Sequence, residues 1–112
     1  MDIREERVGD VVVVVPVGRV DSTTSSELDA RLAALHAAGC RRLVVDFSAV
    51  EYISSAGLRV MLGLAKRAKD TGGRAALCAL DPTVRQVFDL AGFTALFSVA
   101  PGRDQAVALV AG

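Results

Sequence analysis

Apolar residues fall along this chain in two rhythms, and the switches between them mark its elements. Ile3 to Val8 reads as a first strand, with Gly9-Asp10 as the turn of a hairpin. Val11 to Val17 is apolar without alternation, broken only by Pro16, as expected of a strand buried on both faces. Gly18-Arg19-Val20-Asp21 leads out of it, and Ser22 to Ser26 offers several helix caps, Thr24 with Glu27 having capping-box spacing. Leu28, Leu32 and Leu35 then recur on one helical stripe until Gly39 stops it. Leu43 to Phe47 is a third strand, Ser55 to Asp70 a long helix ended by Gly72-Gly73, and Arg74 to Leu80 a fourth strand. Asp81-Pro82 is a helix start, an acidic cap followed by proline at the first helical position. Val84, Val87, Phe88 and Ala91 form that helix's apolar stripe, and Gly92 ends it. Leu96 to Val99 is a short fifth strand, and Pro101-Gly102 introduces a last helix carrying Ala106, Val107, Leu109 and Val110.

The order β-β-α-β-α-β-α-β-α predicts one α/β domain over residues 1–112. It has a mixed sheet of four to five strands, an N-terminal antiparallel hairpin followed by parallel strands, packed with four helices. Strand-helix-strand units require right-handed crossovers between parallel strands. The exits of the second, third and fourth strands therefore share one edge of the sheet, where open α/β sheets place their sites. Loops 18–25, 47–55 and 80–83 meet there, which brings Asp21, Ser55 and Asp81-Thr83 to one end of the molecule.

The stretch Leu43–Leu62 organises the chain, because the strand rhythm changes to a helical one across Ser54-Ser55-Ala56-Gly57. On the helix that follows, Leu58, Val60, Met61, Leu62, Leu64, Ala65 and Ala68 cover a broad apolar arc. Arg59, Gly63, Lys66, Arg67 and Asp70 occupy the opposite arc, and Lys69 falls inside the apolar one. A glycine at 63 is unexpected, since it costs about 1 kcal/mol relative to alanine. Close approach by a partner, a close internal contact and simple tolerance each account for it. Ser54 or Ser55 as a helix N-cap is the simple structural account of the serine pair.

Composition narrows the function. At 52% hydrophobic the chain is not disordered, and its 13 basic and 13 acidic residues lack the basic footprint of a nucleic-acid binder. Val11–Val17 is too short to span a bilayer. The charged opening, Met1 to Arg7, has no apolar signal-peptide core, so the expected location is the cytoplasm, away from membranes. Cys40 and Cys78 have no ligand spacing and read as reduced, inert thiols. His36 is the only histidine, and its helical neighbours point to a solvent-facing position. A single histidine supplies no multi-histidine metal site, and it lies far from any serine that would need a base. No Walker, GxGxxG, GxSxG or HExxH pattern occurs. The expectation is a protein without cofactor, metal or catalytic activity, and a hydrolase using Ser55 ranks last.

The sequence resembles the anti-sigma factor antagonist family, the small single-domain STAS proteins. The resemblance is carried by Gly18-Arg19-Val20-Asp21, Val45-Asp46-Phe47-Ser48 and Tyr52-Ile53-Ser54-Ser55-Ala56-Gly57-Leu58. The run from Leu80 to Phe88 and Ala91-Gly92-Phe93 also match. It implies a STAS-like sheet and a partner-switching protein. The unphosphorylated form of such a protein binds an anti-sigma factor that is also a serine kinase, a GHKL-type ATPase. Phosphorylation at the helix start releases it, and a PP2C-type phosphatase resets it. The family motif, Asp-Ser-Ser/Thr-Gly with its first serine phosphorylated, places the phosphoacceptor at Ser55, with Ser54 as the alternative. Ser54 stands where the motif has Asp, and Ala56 where it has the second hydroxyl. The implied partner surface comprises Asp21, Ser54, Ser55, Ala56, Gly57, Arg59 and Gly63. A second expectation from the same resemblance is a non-switching structural STAS subunit of a larger complex, such as a lipid-transport assembly.

Overall fold

The charged opening segment and the valine run pair as an antiparallel hairpin. β1 (Asp2–Val8) and β2 (Val11–Val20) run in register from Asp2 opposite Val17 to Val8 opposite Val11, and Gly9 takes φ 63° in the turn. The computed structural model of the chain describes residues 1–111. Beyond the hairpin follow α1 (Ser25–Ala37), β3 (Arg42–Asp46), β4 (Val50–Ile53), α2 (Ser55–Thr71), β5 (Arg74–Cys78), α3 (Pro82–Leu90), β6 (Ser98–Ala100) and α4 (Arg103–Val110). The sheet order is β1-β2-β3-β5-β6, with β2, β3, β5 and β6 parallel and β1 antiparallel at the edge. Arg4, Glu5, Glu6 and Arg7 leave that edge strand exposed and charged, which discourages pairing with a further strand.

Among the described residues the sheet has six strands, not four to five. The additional one, β4, is a short pairing that a run of four residues with Glu51 inside it did not announce. Its partner is the far half of β2. β2 pairs with β3 through Val12–Val14, then with β4 through Gly18–Val20, and the register shifts between Gly18 and Arg19. Gly18 holds φ 98° at that irregularity, a conformation that glycine adopts without strain. β2 therefore runs three residues past Val17 and carries the chain directly to Asp21. β5 ends at Cys78 rather than Leu80, and a 3-10 turn, Phe93–Ala95, precedes β6, so Leu96 lies outside that strand.

Alternation in β2 assigns its residues to two cores. Val12 and Val14 face Leu28, Leu32, Met61, Leu64 and Phe88, so α1, α2 and α3 cover this side. Val11 and Val13 face Ala76, Ala106 and Val110, where α4 is the covering helix. Each large side chain fully buried here contributes on the order of 2 kcal/mol. Phe88 meets Phe47 and Phe93 edge to face, at ring distances of 5.5 and 6.2 Å. Arg103 fastens the lone helix: its Nε and Nη2 donate to Asp46 Oδ2 at 3.1 and 2.9 Å, and its Nη1 pairs with Glu6. Among the described residues no helix is long and apolar enough to cross a membrane.

Candidate functional site

Strand ends and helix starts build the site together. Because β2, β3, β5 and β6 are parallel, Val20, Asp46, Cys78 and Ala100 all finish at one edge, with the junction 54–57 beside Val20. Ser54 is extended (φ −95°, ψ 176°) and its amide donates to Val20 O at 2.9 Å, continuing the β2–β4 ladder by one bond. Its Oγ then accepts from Gly57 N at 3.3 Å and its carbonyl accepts from Leu58 N at 2.9 Å. Ser54 is thus the N-cap of α2, filling one of the four first-turn amides that a helix leaves without an internal acceptor.

Ser55 is the first residue of α2 and is exposed, and its side chain makes no hydrogen bond among the described residues. The two hydroxyls are therefore not equivalent: one is committed to structure and the other faces water. Ala56 is half-buried and Arg59 exposed on the next turn. Gly57, expected on the partner surface, is buried. A Cβ there would stand 2.7 Å from Ile53 Cγ1, 2.9 Å from Val20 Cγ1 and 3.0 Å from Val20 O. Its place is against the β2–β4 ladder, where only glycine lets the helix start so close. Gly63 is the opposite case, since a Cβ would meet nothing nearer than Arg67 Nη2 at 3.9 Å. The internal-contact account of Gly63 is thereby removed.

Asp21 sits at the end of β2, one position beyond the residue that receives the Ser54 amide. Its Oδ1 accepts from Thr23 N at 3.0 Å and Thr23 Oγ1 at 2.7 Å, and those bonds hold its carboxyl below the usual carboxylate range. The Thr24–Glu27 capping box does not form: Thr24 Oγ1 accepts from Asp21 N and donates to Arg19 O. Two residues that sequence reasoning did not single out complete this edge. Arg19 lies 3.7 Å from Asp21 Oδ2 and stacks over the Tyr52 ring at 4.3 Å. They are cross-strand partners in the β2–β4 pairing, so a reading without β4 gave no reason to join them. Asp81 caps α3, accepting from Val84 N at 2.8 Å, and marks the β5 side of the same edge.

Titratable groups elsewhere have structural explanations. Asp46 is buried, yet the Ser48 amide and Arg103 outweigh the cost of burial and hold its carboxyl low. Burial, reinforced by the Asp46 charge, pushes the Cys78 thiol up to about 11. His36 is not solvent-facing. It is buried, with no partner for Nδ1 among the described residues, because α1 turns this position toward α2, and burial together with the charges of Arg67 and Arg41 lowers its pKa. Arg67, placed on the exposed arc, reaches across to Asp29 of α1 at 3.3 Å. No cluster of three or more metal-ligating side chains converges among the described residues.

The STAS domain family matches this chain over residues 2–106. The Bordetella bronchiseptica protein BtrV, named as an anti-sigma factor antagonist, is 40% identical over 108 residues, which cover 96% of this chain and 93% of that protein. The crystal structure of an anti-sigma factor antagonist from Mycobacterium paratuberculosis superposes with a TM-score of 0.89 at 28% identity, covering 97% of this chain and 92% of that one. The Bacillus cell fate determinant SpoIIAA in its phosphorylated form shares the fold, with a TM-score of 0.77 at 22% identity over 98% of this chain and all of that one (100%).

Proposed function

This chain belongs to the STAS domain family, among the anti-sigma factor antagonists, and from that premise we propose that it is a partner switch worked through Ser55. The unphosphorylated protein binds an anti-sigma factor that is a GHKL-type serine kinase. The kinase transfers the γ-phosphoryl group of ATP to Ser55 Oγ, breaking the bond to the β-phosphate and releasing ADP and the hydroxyl proton. The modified protein then leaves, and a PP2C-type phosphatase hydrolyses the ester.

The observation that carries this reading is the division of labour at the junction. Ser54 caps α2, so Ser55 is exposed and its hydroxyl unengaged among the described residues. A phosphate at the first helical position is tolerated by the free amides and the helix dipole, so the fold persists. A docked surface responds otherwise. Burying a group of nearly two negative charges without a partner cation costs several kcal/mol, and about 1.4 kcal/mol is already tenfold in affinity. Arg19 and Tyr52 stack on the β2–β4 ladder that leads into Ser54-Ser55, Asp21 follows the end of β2, and Arg59 is exposed one turn into α2.

The test is phosphoryl transfer and binding with the cognate kinase. Wild type takes up label, Ser55→Ala does not, and Ser55→Asp binds the kinase at least about tenfold more weakly. Label that persists in Ser55→Ala moves the acceptor to Ser54. Unaltered binding by Ser55→Asp instead indicates a non-switching subunit in which the serine pair only starts the helix.

A further inference from the structure

At the opposite end of the sheet, where the parallel strands begin, the surface opens into a recess of about 460 Å3. Arg7 from β1, Arg41 and Arg42 at the entry to β3, and Arg74 at the start of β5 line it, with Asp10 as the acidic residue among them. The chain as a whole is neutral, 13 basic residues against 13 acidic, so this excess is created by folding. Positions 7, 41–42 and 74 are far apart in sequence.

Among the described residues, internal partners do not neutralise the recess. Arg42 pairs with Asp10. Arg41 donates to His36 O and Cys40 O at 3.0 and 3.2 Å, closing the end of α1. Arg74 reaches only a backbone carbonyl, Ala111 O, at 3.5 Å, and Arg7 has no carboxylate partner among the described residues. Moreover Arg42 and Arg74 are paired positions on adjacent strands, where like charges oppose the pairing. The carbonyl ends of α1 and α2 lie here as well, but their partial charges offset only part of the excess.

We propose that this recess is a binding site for a small, multiply charged phosphate compound. Guanidinium groups present planar forks that match phosphate oxygens, and several of them together favour a ligand with more than one negative charge. The volume lies within the range of small-molecule sites, about 300–1,000 Å3. A nucleic acid would require a track of cations, and outside this recess acidic residues outnumber basic ones. The cations line a concavity, with Leu35 among its walls, rather than a protruding face, which favours a free phosphate compound over a membrane headgroup. The site assumes nothing about Ser55, and its ligand would relieve the Arg42–Arg74 repulsion and so stabilise the fold.

The test is a titration with pyrophosphate at constant ionic strength, followed by amide chemical shifts and thermal midpoint. Saturation at one site, shifts confined to residues 7–10, 35–42 and 72–74, and a raised midpoint are expected. Arg7→Gln/Arg74→Gln alters two exposed side chains, keeps the circular dichroism of wild type, and weakens binding about tenfold or more. Arg4→Gln/Arg85→Gln removes the same charge elsewhere and leaves the affinity unchanged. Non-saturating shifts that chloride reproduces, equal affinity in both double variants, or binding to phosphatidylglycerol vesicles without response to pyrophosphate would each overturn the proposal.

Discussion

Ser54 and Ser55 are neighbours with the same side chain, and one hydrogen bond separates their roles. The cap from Ser54 Oγ to Gly57 N makes this hydroxyl part of α2. Ser54→Ala therefore lowers stability by about 1 kcal/mol, whereas Ser54→Asp, which restores an acceptor, leaves it near wild type. Urea denaturation checks both, and equal stability of Ser54→Ala and wild type would discard the cap. The serine pair was legible in the sequence as a helix start, and so were both candidate roles. Which hydroxyl caps the helix was not, because it depends on where the β4 ladder releases the chain: the Ser54 amide still bonds Val20 O, so the helix can begin only at Ser55. Gly57 follows the same logic. It was expected on the partner surface, yet the space a side chain would take is filled by Ile53 and Val20 of this chain.

Among the elements, α2 was the clearest in sequence and its two glycines the least. A seventeen-residue helix with Met61 and Leu64 fully buried follows directly from the apolar arc. Its start at Ser55 and its stop at Gly72, in the left-handed region, were likewise marked. Gly63 lies in its interior with room for a methyl group. Gly63→Ala is expected to stabilise the free protein by about 0.5–1 kcal/mol, a rise in thermal midpoint of several degrees. A fall in the midpoint would show that a contact has been misjudged. If a partner docks close to this turn, the same substitution weakens kinase binding while it stabilises the fold, a separation of effects that simple tolerance does not give. β4 went unread for a different reason. Four residues with two exposed side chains in the middle carry little periodic signal, and their pairing is decided by β2 continuing past β3.

At the scale of the molecule, titratable groups whose pKa values folding shifts link stability to pH. His36 lies between α1 and α2 with its pKa lowered, so the native state resists a proton that the unfolded chain accepts. Stability is full above the ordinary histidine value of 6.5 and declines as pH falls below it. Asp46 and Asp21 are also held below their ordinary value of 3.8, so a second loss follows as pH falls through the acid range below that value. Chemical denaturation between pH 7 and 2 should show two limbs, and His36→Leu should abolish the first and keep the second. A single acid limb in wild type would show that His36 accepts its proton without penalty. Residue spacing by itself determined the helices, five of the strands, the parallel crossovers and the edge that gathers Asp21, Ser55 and Asp81, because periodicity and caps act over a few neighbouring residues. Only the tertiary structure decided the face His36 turns to, the β2–β4 ladder that joins Arg19 to Tyr52, and the gathering of four arginines in one recess. Those depend on the register and packing of segments dozens of residues apart, which local patterning does not encode.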